Sequence, residues 1–262
     1  MSIDRFCGTS VAETGLCETA RASAIEPRWS RVLCPDEALD GELEMQWLEQ
    51  ALEGEATAAI WHGQPGLVAP LSYRRYADLA EVSAVLLQCG WPVRLRRSGG
   101  GVVPQGPGIV NLSLAYPCEG APGERTEPVY LHLCAVLARA LGALGIASQP
   151  GLVAGSFCDG RFNLAVCAQG RLRKIAGSAQ YWRRGNGRQA VLAHALLLID
   201  ADPALLSAQA NRFETALGSG RHYDAKALTS VAECWLAAHP GQRLQPDFSH
   251  AVTQQIAAAL LH

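Results

Sequence analysis

No stretch of 18 or more consecutive apolar residues occurs in this sequence, which excludes a membrane-spanning helix. The longest candidate, VYLHLCAVLARALGALGI at 129–146, carries His132 and Arg139 and reads instead as a buried helix. A basic excess is lacking as well. The 22 Lys and Arg are outnumbered by 24 Asp and Glu, for a formal net charge of -2, which argues against a general nucleic-acid binder. There is also no C-x-x-C pair. The nine cysteines, at 7, 17, 34, 89, 118, 134, 158, 167 and 234, are odd in number and spaced for neither a disulfide framework nor a structural zinc site, so no metal is expected. The opening MSIDRFCGTSVAETGLCETARAS has neither the basic start nor the apolar centre of a secretory signal. Its acidic residues are also foreign to a mitochondrial presequence. A cytoplasmic protein without a membrane partner is therefore expected.

What remains is a chain of 262 residues, 49% hydrophobic, long enough for one substantial core. Residues 1–28 are polar and weakly periodic and read as an extension, leaving 29–262 as a single catalytic-sized domain. Leu43, Trp47, Leu48, Ala51 and Leu52 predict a helix over 41–53, and a second is expected over 75–88. Strands are expected at 57–62, through WPVRLRR, and at 109–116. In the last of these Val110, Leu112 and Leu114 alternate with Asn111, Ser113 and Ala115 as in a half-buried strand. A hairpin turning at Gln169-Gly170 joins 162–168 to 171–178, and 189–199 is another strand. Helices over 203–217, 225–238 and 247–261 close the chain, the first two capped by Asp202 and Asp224. Strands in the middle and helices outside, without βαβ alternation, give an α+β fold on a largely antiparallel mixed sheet flanked by helices.

Two segments point to chemistry. In RRSGGGVV (96–103), three adjacent glycines allow positive φ and let a ligand approach the backbone. This is no Walker loop, because Gly-Lys-Ser/Thr is missing, and no dinucleotide fingerprint, because position 104 is Pro104. Arg94, Arg96 and Arg97 beside it suggest anion binding, with Arg94 and Arg96 on one strand face and Arg97 on the other. In GSFCDGRFNLAV (155–166), Gly155 and Gly160 make the loop of Cys158 pliable. A nearby cation would favour the thiolate. Lys174 is the candidate, yet hairpin pairing sets it opposite Ala165, seven residues from Cys158, or roughly 23 Å of extended chain. Contact requires the loop to curl back over the sheet. Residues 161–188 carry seven of the basic residues and no acid, which reads as either a solvated face or a docking surface for an acidic carrier. His194 interrupts the apolar strand VLAHALLLI, and no Ser-His-Asp arrangement is apparent.

Taken in order, RRSGGGVV, IVNLSL, GRFNLAV, RKIAGSAQYWRR and LAHALLLIDAD resemble the lipoate-protein ligase and octanoyltransferase superfamily, over about residues 29–215. That resemblance implies the biotin/lipoate protein ligase catalytic fold. It implies that Arg96, Ser98, Gly99, Gly100 and Gly101 line an acyl pocket, that Lys174 binds the reacting carbonyl, and that Asn163 and His194 line the site. It likens Cys158 to the nucleophile of the cysteine-dependent octanoyltransferases and lipoyl amidotransferases. Backbone amides near the glycines, or at Ala176, Gly177 and Ser178, would stabilise an oxyanion. Many relatives have histidine where this chain has Gln105, which puts a role for that imidazole in doubt. Ligases of the family commonly carry an accessory domain, and the short remainder after 217 leans toward a transferase. The expected reaction moves an octanoyl or lipoyl group from an acyl carrier protein or an acylated glycine-cleavage carrier, through acyl-Cys158. The acceptor is a lysine of a lipoyl domain, in a 2-oxoacid dehydrogenase or the glycine-cleavage carrier, and no cofactor is needed. Alternatives are an ATP- and Mg-dependent lipoate ligase working through acyl-AMP, and a noncatalytic carrier-binding relative.

Overall fold

The computed structural model describes residues 27–168, 170–185 and 187–261. All but the last two residues of the expected extension lie outside that set, as does Gln169 of the hairpin turn. Among the described residues ten strands and six α-helices follow in the order β1 (Arg31–Leu33), α1 (Leu43–Glu53), β2 (Thr57–Trp61), β3 (Gly66–Pro70), α2 (Leu79–Gln88), β4 (Val93–Arg96), β5 (Val103–Gln105) and β6 (Ile109–Pro117). Then come α3 (Pro122–Ala143), β7 (Gln149–Gly151), β8 (Asn163–Ala168), β9 (Arg171–Gly185), β10 (Arg188–Leu198), α4 (Pro203–Ala216), α5 (Val231–Ala238) and α6 (Phe248–Leu260). Seven strands form one sheet in the order β1-β2-β6-β10-β9-β8-β7, antiparallel except for β1 with β2. A small sheet, β4-β3-β5, lies apart from it. The α+β expectation holds.

One face of the large sheet buries Val110, Leu112, Leu114 and Tyr116 against Leu133 and Leu137 of α3 and Val252 and Ile256 of α6. Its other face packs Ala59, Ala115 and Leu192 on Trp47, Leu48 and Ala51 of α1. A third cluster joins the small sheet to α2 and α4 through Leu67, Leu86 and Phe213. β6 therefore corrects the reading as a half-buried strand: residues 109–116 are buried throughout. The alternation was real, but Asn111 and Ser113 face a polar site under α1 rather than water.

Further boundaries differ: α2 begins at Leu79 rather than 75, and β9 runs on to Gly185 rather than ending at 178. α3 begins at Pro122, seven residues earlier than expected at 129, and runs through Pro128. Pro122 occupies the first turn, where its missing N–H costs nothing. The helix expected over 225–238 is split into a 3-10 turn at Ala225–Ala227, capped by Asp224, and α5, capped by Ser230.

Candidate active site

Cys158 lies in the loop between β7 and β8 and adopts φ +47°, making it the sole non-glycine residue with positive φ among those described. That conformation costs roughly 1–3 kcal/mol and persists only where surrounding contacts fix it. The contacts are specific. The Cys158 carbonyl accepts from Gly160 N at 2.8 Å, from Asn163 Nδ2 at 2.8 Å and from Lys174 Nζ at 3.2 Å. Lys174 Nζ also donates to the Phe157 carbonyl, and Asn163 Nδ2 to the Gly160 carbonyl. Lys174 pairs with Ala165 as the hairpin predicts, and the loop folds back across the sheet to meet it.

Downstream chain ties both residues down. Asp224 N donates to Gly155 O and Thr229 N to Lys174 O, while the Tyr223 ring packs edge-on against Phe157. Lys174 is 4% exposed. Burial pushes its ammonium down to about 8, aided by Arg96 and opposed by Cys158 and Asp159. Gly177 has no side chain because a Cβ there would sit 2.9 Å from Lys174 Nζ. Among the other described cysteines, exposed Cys89 accepts from Arg212 Nη2 at 3.3 Å but does not line this cavity, and burial pushes Cys134 up to about 11 and raises Cys34, Cys118 and Cys234.

The three glycines do different work. Gly100, at φ +105°, runs so close to Cys158 that a Cβ would collide with its Sγ. A Cβ on Gly101 would lie 2.8 Å from the Tyr223 hydroxyl, whereas Gly99 faces open space. Arg96 holds the loop: Nη2 donates to Gly99 O and Gly101 O, Nη1 to Val68 O, and Nε to Ser98 Oγ. Most of its donors are therefore occupied by the protein, which corrects its reading as a free anion clamp. Arg94 is likewise turned onto the carbonyls of Gln64 and Pro65.

From Ser98 a chain of hydrogen bonds runs across the site. Ser98 Oγ meets His194 Nε2 at 2.8 Å, and His194 Nδ1 meets Glu44 Oε1 at 2.7 Å. Ser113 Oγ donates to the same Glu44 oxygen, and Trp61 Nε1 donates to Ser113. Burial pushes the Glu44 carboxyl up, but His194, Ser113 and Arg96 outweigh it and hold it below its ordinary value. Sequence reading found no such triad and missed Glu44. The signal was an acid at position 44 on the stripe that buries Leu48 and Ala51 of α1.

These groups surround a cavity of about 870 Å³, into which Arg96, Ser98, Cys158, Lys174, Ala176, Gly177, Ser178 and His194 project or open. Asn163 and the three glycines are not among its lining residues; Asn163 braces the loop of Cys158 from behind. Leu71, Leu95, Val103, Leu196 and Leu198 supply an apolar wall. Gln105 also lines it, in a reciprocal amide pair with Asn111 at 2.7 and 3.1 Å, so this part of the wall carries no titratable group. The basic stretch 161–188 is not one face, because Lys174 is buried while Arg173 and Arg183 pair with Glu233 and Glu49.

The family model described as lipoyl protein ligase A/B catalytic domain matches residues 44–234. An uncharacterized protein of Cupriavidus necator is 48% identical over 225 residues, covering 83% of this chain and 87% of its own. An octanoyl-[GcvH]:protein N-octanoyltransferase of Kyrpidia tusciae is 39% identical, over 54% of this chain and 49% of its own length. The chain thus spans about half of that named relative. Among solved structures, lipoate-protein ligase A bound with ATP aligns with TM-score 0.58 at 16% identity, over 89% of this chain and 86% of that one. A bi-partite lipoate protein ligase from Thermoplasma acidophilum gives 0.56 at 16%, over 90% and 85%. These two share the fold. With the model match spanning most of the described elements and all of the site, the chain belongs to the lipoyl protein ligase A/B catalytic domain family.

Proposed function

We propose that the protein moves an octanoyl or lipoyl group from an acylated carrier to a lysine of a lipoyl domain, by way of an acyl-Cys158 intermediate. The observation that carries this reading is the convergence of Lys174 on a left-handed Cys158 inside an apolar-walled cavity. In the first half-reaction Sγ, as thiolate, attacks the donor's acyl carbonyl, which on a glycine-cleavage carrier is an amide of a lysine. The new C–S bond forms, the donor C–N bond breaks, and the departing amine takes up the proton that the thiol gave up. Lys174, as ammonium, steadies the charge on the carbonyl oxygen. In the second, an amine displaces Sγ and an amide results. An amide donor and an amide product make the overall transfer nearly balanced, because the step up to the thioester is returned when the second amide forms, so neither ATP nor a metal is called for. The donor named in the Kyrpidia tusciae relative, octanoyl-[GcvH], supports an acylated glycine-cleavage carrier over an acyl carrier protein.

Incubation with octanoylated glycine-cleavage carrier is expected to add one octanoyl group to the intact mass, removable by hydroxylamine. If no adduct forms from that donor or from octanoyl-acyl carrier protein, and lipoate-dependent pyrophosphate exchange appears with ATP, the ligase reading replaces this one. Within the glycine loop, Gly100→Ala is expected to slow adduct formation about 100-fold, because the added methyl displaces the nucleophile. Gly99→Ala, surrounded by open space, should leave the rate unchanged. The same mass assay, followed over time, checks both.

A further inference from the structure

Resting on the acyl-Cys158 reading, we infer that Ser98, His194 and Glu44 form the proton-accepting relay for the amine half-reaction, with Ser98 as the group that touches the incoming lysine.

The direction of every proton in the chain follows from its partners. Glu44 Oε1 already accepts from Ser113, and a carboxylate there requires His194 Nδ1 to carry the hydrogen. Nε2 is then the acceptor, so Ser98 donates its hydroxyl hydrogen to it. Arg96 Nε occupies one lone pair of Ser98 Oγ. A hydroxyl has one donor and two acceptor sites, so one acceptor of Ser98 is left, and Ser98 lines the cavity that Cys158 also lines. Arg96 joins the two sites. Its Nε is on Ser98, and its Nη2 lies 3.3 Å from where a Gly100 Cβ would press on Sγ.

A carrier lysine arrives as ammonium and must shed protons to attack. Its first proton passes to Ser98 as the Ser98 hydrogen passes to His194, giving an imidazolium that the Glu44 carboxylate stabilises. The C–N bond then forms and the C–S bond breaks, with the electron pair leaving on Sγ. The second amine proton ends on that sulfur. The products are an amide, the Cys158 thiol and a protonated His194, which later loses its proton to solvent. Charge is conserved at +1 throughout. Glu44, together with Ser113 and Trp61 behind it, is a positioning residue. The charged or titratable groups facing His194 are Glu44 from α1 and, through Ser98, Arg96 from β4; the neighbours opposite it on β6 and β9 are Ser113 and Ala179.

The test separates the half-reactions. Purified octanoyl-enzyme is mixed either with a lipoyl domain or with hydroxylamine, which is unprotonated at neutral pH and needs no base. His194→Ala and Ser98→Ala are expected to slow transfer to the lipoyl domain about 100-fold, and Glu44→Gln about tenfold. Adduct formation from the acylated glycine-cleavage carrier, which expels an amine along the same proton path in reverse, should slow with it, whereas hydroxylamine release should stay near wild type. Ser98→Thr, which keeps the hydroxyl, should restore most of the rate. Raising the pH should speed the variants more steeply than the wild type, as free amine becomes available. Equal slowing of lysine and hydroxylamine reactions, or no slowing of either, would overturn the relay while leaving the acyl-enzyme intact. Absence of any octanoyl-enzyme from the wild type would remove both readings together.

Discussion

Cys158→Ala is expected to lower acyl transfer by roughly four orders of magnitude, with no octanoyl adduct on the protein, because no other described thiol has a cation and an open cavity beside it. Loss of activity alone would not separate a nucleophile from a packing residue, and the backbone supplies the distinction. Alanine keeps the Cβ that makes φ +47° unfavourable, so the strain stays. Cys158→Gly relieves it and is expected to be just as inactive yet more stable than Cys158→Ala by about 1 kcal/mol, after allowing for the extra entropy of unfolded glycine. Urea midpoints of the two variants, beside their transfer rates, check this. A glycine variant no more stable than the alanine one would mean that the loop is not strained.

Lys174→Met should cost about a thousandfold in transfer while leaving the protein at least as stable at neutral pH. The side chain is buried, and holding an ammonium there is costly, as its fall from 10.5 to about 8 records. Methionine fills the same tunnel without charge. Cys158 O would still accept from Gly160 and Asn163. The sign of the pH dependence follows from proton counting. Between about 8 and about 10.5 the unfolded chain holds a proton at Lys174 that the folded chain has lost, so wild-type stability rises with pH across that window. Below about 8 the full penalty applies. The whole effect amounts to roughly 3 kcal/mol at most. Lys174→Met should lack that rise, and urea titrations at pH 7.5 and 10 measure the difference. A variant with the same pH response as wild type would place the titration elsewhere.

The fold was legible where local rules decide. The helical spacing of Leu43, Trp47 and Leu48 found α1, and the Lys174 to Ala165 pairing followed from one hairpin turn. It was misleading where polarity was taken for solvent. Asn111 and Ser113 look like the wet face of a strand, but their partners are Gln105, Glu44 and Trp61, contributed by chain 6 to 69 residues away. Cys158 and Lys174 could be named together through the family pattern, while their contact depended on a loop reversal that composition permits but does not dictate. Glu44 stayed hidden because an acid among apolar helix positions reads as an interruption unless its partner strand is known. Arg96 looked like a ligand-binding cation for the opposite reason: backbone carbonyls, which consume its donors, leave no mark in a sequence.

The stretch from Tyr223 to Thr229 grips the thiol's loop at Gly155 and the amine's strand at Lys174. Nucleophile and cation therefore share a single mooring, and a protease nick at the exposed turn around Gly220, just upstream, would loosen the two in concert rather than one at a time.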